Sequence, residues 1–416
     1  MLEVQHAGPP SLSWPGGAAL SPDGRRFAVL TFTRVRSGGS NVVVPDVQVS
    51  NVGSPDPFAK KQLPESALDT HPALVKLSPA GFVQYCNRGS GLMVSDPGGT
   101  LYYLNPDTLE VLHATPLNIP LVPAPEFRRV SEKVVCSENS PRAMIVAYGG
   151  FFRSGGRSPD ASTYYGYGNG LIRVYDLSSG TLVREWDMTE SPYDLGDIAI
   201  SPSGNQIAVS HIPRNPPTTT KKSRPGVKTK EINDIELYDV SSGKMTLQVN
   251  PGHEPGRISF AGEQRIASDD TRMPQPIYPH PTIRLWDCND GKLLREFSDP
   301  KVGARRFVGA SSDGSVILGY IPRETLHTGW GGPLSETLEQ RFRLWDAATG
   351  QVIATSPSFL PNLNTFSDKG REVLDPSLEL SADGQSVIVF WKPEWMETFP
   401  IYVFSEVPAG TTPTTH

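Results

Sequence analysis

The sequence predicts an all-β fold, and three features support this prediction. A phrase of alternating apolar and polar residues, ending in Asp before a short Gly-containing turn, recurs along the chain. A second kind of turn, of the Ser-Pro-Asp-Gly type, lies between apolar runs upstream of it. Glycine and proline are abundant, at 39 and 40 of 416 residues, which suits many short strands joined by turns.

The recurring phrase predicts a strand, a tight turn and a second strand. Its best copies are LIRVYDLSSGTLVREW, DIELYDVSSGKMTLQV, TIRLWDCNDGKLLREF and RFRLWDAATGQVIATS, at residues 171–186, 234–249, 282–297 and 341–356. Alternation of apolar and polar residues is typical of half-buried strands, and a turn containing Gly supplies the positive backbone angle of a tight hairpin.

The upstream turns predict a second hairpin before each phrase. They occur in LSPDGRRFAVL, LSPAGFVQYC, ISPSGNQIAVS, SSDGSVILGY and LSADGQSVIVFW, which begin at residues 20, 77, 200, 311 and 380. Each unit therefore has four strands, here called a to d, with tight turns from a to b and from c to d.

Seven units are expected. Their third strands end at Asn51, Asn105, Asp176, Asp239, Asp287, Asp346 and Ser405, and the units span residues 20–54, 74–115, 130–186, 195–249, 255–297, 304–356 and 375–407. The last unit lacks strand d, because residues 408–416 have the composition of a flexible tail. We expect residues 2–6 to supply that strand, so that residues 1–407 form one domain.

The Leu-Trp-Asp motifs at 285–287 and 344–346, the variants Val-Tyr-Asp and Leu-Tyr-Asp, and the SPDG-type turns resemble the WD-repeat β-propeller family. The resemblance covers essentially the whole chain and implies a seven-bladed β-propeller closed by an N-terminal outer strand. It also implies that His253, Ser268, Asp269 or Asp270, and Trp286 form a structural hydrogen-bond network that braces one blade.

The connections differ between the two predicted faces. The a-to-b and c-to-d turns are uniformly short, whereas most b-to-c connections are long and unlike one another, as expected of a binding face. The long connections carry aromatic and basic residues that are candidates for binding: Tyr164, Tyr165, Tyr167, Tyr278, Trp330, Trp395, Phe399, Arg34, Arg36, Lys221, Lys222, Arg224, Lys228 and Lys230. Alternatively, the rings cap the channel or pin neighbouring loops, and the basic segment is a solvated loop.

No catalytic or cofactor motif is present. The chain lacks G-x-S-x-G, H-x-H and H-E-x-x-H, and His71, His211, His253, His280 and His327 fall on different connections. We therefore expect no cofactor and no metal, and a non-catalytic scaffold for a protein or peptide. The alternatives are a lactonase-like hydrolase or lyase, and a propeller that binds a carbohydrate or small ligand at the channel mouth.

The net charge and the cysteine content limit the possible binding partners and the cellular compartment of the protein. A net charge of -6 argues against nucleic acid as the main partner, and no apolar run is long enough to cross a membrane. Cys86, Cys136 and Cys288 do not indicate a disulfide framework, although one bridge between Cys86 and Cys136 remains an alternative. We expect a cytoplasmic monomer, or an exported one if the native start lies upstream.

Overall fold

The computed structural model of the chain describes residues 2–7, 13–37, 40–54, 56–67, 82–96, 99–117, 128–151, 166–188, 193–213, 234–252, 255–270, 282–297, 306–321, 341–356, 377–390 and 398–404. These residues form seven antiparallel sheets arranged as a seven-bladed β-propeller, which confirms the predicted fold class. None of the described residues belongs to a helix with the length and apolar character needed to span a membrane.

The first three blades contain β2 to β14. Blade 1 consists of β2 (Ser13–Leu20), β3 (Arg26–Ser37), β4 (Ser40–Asn51) and β5 (Pro57–Gln62), with the short β6 (Ser66–Ala67) also paired to β4. Blade 2 consists of β7 (Phe82–Cys86), β8 (Gly91–Ser95), β9 (Thr100–Leu104) and β10 (Val111–Pro116). Blade 3 consists of β11 (Arg128–Cys136), β12 (Arg142–Phe151), β13 (Gly166–Asp176) and β14 (Thr181–Asp187).

The remaining blades contain β15 to β29 and β1. Blade 4 consists of β15 (Tyr193–Ile200), β16 (Gln206–Pro213), β17 (Ile235–Asp239) and β18 (Met245–Val249). Blade 5 consists of β19 (Pro255–Phe260), β20 (Arg265–Asp270), β21 (Ile283–Asp287) and β22 (Leu293–Phe297). Blade 6 consists of β23 (Arg306–Ala310), β24 (Val316–Ile321), β25 (Arg341–Asp346) and β26 (Val352–Thr355). Blade 7 consists of β27 (Ser377–Leu380), β28 (Val387–Phe390), β29 (Thr398–Phe404) and β1 (Leu2–Ala7).

The first strand of every blade lies at the centre of the ring. Each of these strands contacts the first strand of the next blade, and β27 contacts β2 to complete the circle. Apolar clusters fill the spaces between neighbouring blades in the described part of the chain. Since each sheet packs between two others, inner strands such as β8 and β28 are buried along their whole length.

The ring closes as the sequence predicts. β1 pairs antiparallel with β29, so that Leu2 lies opposite Val403 and Ala7 opposite Thr398. The N-terminal segment thereby provides the outer strand of blade 7. A strand from each end of the chain in one sheet removes the exposed edge that an incomplete blade would present.

Alternating strand directions give the ring two distinct faces. The a-to-b and c-to-d turns lie on one side, which we call the tight-turn face. The strand ends that lead into the b-to-c and d-to-a connections lie on the other side, which we call the loop face. The longest b-to-c connections run through residues 152–165, 214–233, 271–281, 322–340 and 391–397, and the strands that flank them end at the loop face.

Three local predictions were wrong. In blade 2 the Ser-Pro-Ala-Gly motif precedes strand a, because Phe82–Cys86 pairs with Gly91–Ser95 around a 3-10 turn at Asn87–Gly89. In blades 1 and 3 part of each predicted b-to-c loop is strand, since β3 with β4 and β12 with β13 extend into the segments read as loops. The structure also forms the Cys86–Cys136 disulfide, which the cysteine count had not favoured.

Candidate functional site

Four of the predicted binding residues are in described strands, and the other ten are not. Tyr164, Tyr165, Tyr278, Trp330, Trp395, Lys221, Lys222, Arg224, Lys228 and Lys230 lie outside the described residues. Arg34 and Arg36 are in β3, where their backbones oppose Val43 and Asn41 of β4. Tyr167 is in β13 opposite Gly150, and Phe399 is in β29 opposite His6.

The residues proposed to brace blade 5 are described in part. The indole Nε1 of Trp286 donates a hydrogen bond of 3.0 Å to Ser268 Oγ, and Ser268 is fully buried. Asp270 is in β20 opposite Pro255, and His253 lies outside the described residues. The indole N–H of a buried Trp needs an acceptor, so this contact fixes β20 against β21.

Asp269 joins blade 5 to blade 6. Its Oδ1 accepts the N–H of Arg257 at 2.7 Å, and its Oδ2 accepts the N–H of Phe307 in β23 at 2.7 Å. Burial raises the pKa of Asp269 to about 7, although both backbone N–H groups lower it. The carboxyl group is therefore fully used in holding two central strands.

Similar contacts occur at other blade junctions. Asp197 Oδ2 accepts the N–H of Ile258 at 2.9 Å between blades 4 and 5. Gln84 Oε1 accepts the N–H of Cys136 at 3.0 Å between blades 2 and 3. Each acceptor satisfies a backbone donor on the inner edge of the next blade, where no further strand can pair. These polar residues have a structural role.

Glu379, in the central strand β27, and Glu138, in the a-to-b turn of blade 3, are two half-buried carboxyl groups. Burial, together with the charge of Glu138, raises the pKa of Glu379 to about 8, and a hydrogen bond with the Leu20 backbone partly opposes this rise. Burial also raises the pKa of Glu138, against a hydrogen bond from Ser312 that lowers it. A carboxyl group with a pKa of about 8 is mostly protonated at pH 7.

The described residues contain no group of three His, Cys, Asp or Glu side chains arranged to hold a metal ion.

Blade 4 has a polar cluster on the two strands that flank residues 214–233. His211, in β16, contacts Glu236 Oε2 through Nε2 at 2.8 Å, and the Tyr238 hydroxyl donates to the same oxygen at 2.5 Å. Burial raises the pKa of Glu236, but the hydrogen bonds with His211 and Tyr238 outweigh it, and the pKa is lowered. The cluster fixes the two strands from which residues 214–233 depart.

This cluster replaces an ion pair found in the adjacent blades. In blade 3, Arg173 Nε lies 2.7 Å from Glu185, and in blade 5, Arg284 Nε lies 2.6 Å from Glu296. Glu236 occupies the equivalent place in β17, as a comparison of IELYD with IRVYD and IRLWD shows. This cluster was not among the predicted sites, although the exchange of Arg for Glu in an otherwise repeated phrase is a visible signal in the sequence.

The a-to-b turns are closed by their own side chains. The Ser21 hydroxyl donates to Asp23 Oδ1 at 2.6 Å and accepts the Arg26 N–H at 2.9 Å. The same arrangement occurs in blades 6 and 7, at Ser311 with Asp313 and Val316, and at Ser381 with Asp383 and Ser386. These turns are therefore rigid local structures.

Neighbouring turns on the tight-turn face are also bonded to one another. The N–H groups of Asn139, Ser312 and Asp383 donate to the carbonyl oxygens of Pro202, Ala382 and Pro22, at 2.8, 2.8 and 3.2 Å. Ser203 Oγ donates to Glu263 Oε2 at 2.9 Å, and Arg265 Nη2 donates to the Asp313 carbonyl at 3.2 Å. Several polar groups of this face therefore hold neighbouring blades together.

The outer strands reach across to the next c-to-d turn. Arg184 Nε donates to the Val240 carbonyl at 3.1 Å, and Trp186 Nε1 donates to the Gly243 carbonyl at 3.0 Å. In blade 5, Arg295 Nη1 donates to the Thr349 carbonyl at 2.8 Å. The c-to-d turns of blades 4 and 6 are therefore contact surfaces for the outer strands of blades 3 and 5.

Comparison with known proteins adds no assignment. No known protein-family model matches the chain. No curated protein matches it significantly.

Proposed function

We propose that this chain is a non-catalytic scaffold that binds a protein or peptide on its loop face. The difference between the two faces supports this proposal. On the tight-turn face, turns of similar length bond to one another and to the outer strands. On the loop face, the strands end at connections that differ in length and composition from blade to blade. A rigid ring that carries diverse connections on one side suits recognition.

The proposed contact residues are the aromatic side chains Tyr164, Tyr165, Tyr167, Tyr278, Trp330 and Trp395. Large rings provide much of the binding energy in protein interfaces, since they bury a wide area at small cost in conformational entropy. Arg34, Arg36, Lys221, Lys222 and Arg224 are proposed to form a basic rim that favours an acidic partner. The His211–Glu236–Tyr238 cluster supports the assignment of blade 4 to this rim by fixing the strands that flank residues 214–233.

The test compares two loop-face tryptophans with an exposed ring elsewhere. Phe58 lies on the outer strand of blade 1 with 45% of its surface exposed, so Phe58→Ala is a matched control. Wild type, Phe58→Ala and the double variant Trp330→Ala, Trp395→Ala are used to capture partners from native extract, and a captured partner is then purified and titrated by calorimetry.

We expect the wild type and the control variant to bind this partner equally. The double variant should bind at least about thirty-fold more weakly, since the loss of even one hot-spot ring removes about 2 kcal/mol. All three proteins should melt at similar temperatures. Unchanged affinity of a folded double variant would show that binding does not use this face.

A further inference from the structure

A disulfide joins the central strands of two neighbouring blades. Cys86 ends β7 in blade 2, Cys136 ends β11 in blade 3, and their Cα atoms are 5.8 Å apart. From this bond and its surroundings we infer that the protein folds and acts in an oxidising compartment outside the cytosol, with the bond as a permanent link between the two blades.

The fold positions both cysteines through contacts that do not involve sulfur. Gln84 Oε1, two residues before Cys86, accepts the N–H of Cys136 itself at 3.0 Å. The Asn87 N–H donates to the Ser137 carbonyl at 3.2 Å, and the Arg88 N–H donates to the Glu138 carbonyl. Since the two cysteines are 50 residues apart and belong to different sheets, their sulfur atoms meet when blades 2 and 3 pack together. Formation of the bond therefore requires blades 2 and 3 to be packed as in the folded ring.

The surroundings of the bond favour a structural role over a redox switch. Cys86 and Cys136 are 0% and 4% exposed, and they pack in the apolar cluster between blades 2 and 3 with Met93, Tyr103 and Val134. Thiol–disulfide exchange requires a thiolate to approach one sulfur atom along the bond axis. A bond enclosed in this way is reached by a reductant only when the blades separate.

The third cysteine is not a competitor for this pairing. Cys288 packs against the apolar cluster between blades 4 and 5. Burial, together with the charges of Asp287 and Glu263, raises the pKa of its thiol to about 12. Only a very small fraction of such a thiol is ionised at neutral pH, and the thiolate is the reactive form. The chain can therefore oxidise to one defined pair.

The compartment follows from the chemistry of such bonds. The cytosol keeps cysteine pairs reduced, whereas secreted and periplasmic proteins retain them as disulfides. A pair that the fold brings together, encloses in apolar surroundings and leaves without a reactive third thiol is typical of the second group. This inference replaces the cytoplasmic location expected from the sequence, and it does not depend on the proposed binding function.

The redox state of the protein in its own cells is the direct test. Native cells are quenched in acid, the protein is denatured and alkylated with N-ethylmaleimide without reductant, and its mass and peptides are measured. We expect one adduct per chain, on Cys288, and a linked peptide pair that contains Cys86 and Cys136. Three adducts per chain would overturn the inference, because they would show a reduced pair in a reducing compartment.

A second measurement tests the link between blades. The double variant Cys86→Ala, Cys136→Ala is compared with oxidised wild type and with Cys288→Ala. From the length of the closed loop we expect the double variant to melt about 5 °C lower, and Cys288→Ala not to reproduce this loss. A double variant that melts with the wild type would show that the bond does not stabilise the ring.

Discussion

Asp269 Oδ2 in blade 5 accepts the backbone N–H of Phe307 in blade 6 at 2.7 Å, within the buried centre of the ring. The same carboxyl group accepts the Arg257 N–H of its own blade. One side chain thus connects two central strands whose inner edges have no other strand beside them. Holding the ionised carboxyl group away from water costs free energy. Because only the ionised form carries this cost, the stability of the junction depends on pH.

Asp269→Asn should remove part of the pH dependence of stability. The pKa of Asp269 in the folded protein is about 7, above its ordinary value of 3.8, so the folded state binds the proton more tightly between these values. Stability should therefore rise as pH falls from 7 to 5, by about 2 kcal/mol from this group alone. Urea unfolding at pH 5, 6 and 7 measures the slope, which should be shallower in the Asn variant by this amount because Asn does not titrate.

The control for this measurement is Asp56→Asn, since Asp56 is exposed. This variant should keep the wild-type slope. Glu379, with a pKa of about 8, contributes in the same direction and is unchanged in both variants. If the free energy of unfolding of Asp269→Asn varied with pH as steeply as that of wild type, the assigned pKa would be wrong.

Ser268→Ala should destabilise blade 5 by leaving the indole N–H of Trp286 without its acceptor. The two groups are 3.0 Å apart and buried, so we expect a loss of about 1–3 kcal/mol in the free energy of unfolding. Adding Trp286→Phe to Ser268→Ala removes the unsatisfied donor as well. A double-mutant cycle by urea unfolding measures the coupling, and Ser178→Ala, at an exposed turn, is the control. Additive effects of the two changes would contradict the contact.

The sequence predicted the architecture because its signals are repeated and local. The alternating phrase and its turn recur in blade after blade, and the missing last strand indicated that β1 must close the ring. The prediction for the first hairpin of blade 2 was wrong because Ser-Pro-Ala-Gly indicates a turn but not which two strands the turn connects. In the actual turn Arg88 has φ of 55°. This conformation is uncommon for residues other than Gly, so the residue type did not predict a turn there.

The contacts between blades were not predictable in the same way. Asp197, Asp269 and Gln84 accept hydrogen bonds from backbone groups that are about 40 to 60 residues away in the sequence. Whether such groups come into contact depends on how the sheets pack. The Cys86–Cys136 pair has the same character, since its 50-residue separation matches no local motif. The binding role of the loop face remains a prediction.

Gly314→Ala should be more harmful than Gly99→Ala, although both glycines have positive φ. At Gly314, with φ of +70°, an added Cβ would lie 2.2 Å from the Ala261 carbonyl oxygen of blade 5. At Gly99, with φ of +78°, no atom lies within 4 Å of such a Cβ. The Gly99 variant measures the conformational cost alone, about 1 kcal/mol. We expect Gly314→Ala to lose at least about 2 kcal/mol more in urea unfolding, and equal losses would show that the turns of blades 5 and 6 do not pack closely.

Deletion of Leu2–Ala7 should lower the melting temperature, because β1 is the outer strand of blade 7. Its loss breaks the hydrogen bonds to β29 and leaves the edge of β29 open to other chains. From the number of bonds involved we expect a decrease of at least about 5 °C, together with aggregation on heating. Removal of residues 408–416, the predicted tail, is the control and should leave the melting curve unchanged. Scanning calorimetry with light scattering measures both effects, and a deletion variant that melts with the wild type and stays monomeric would mean that the ring does not need this strand.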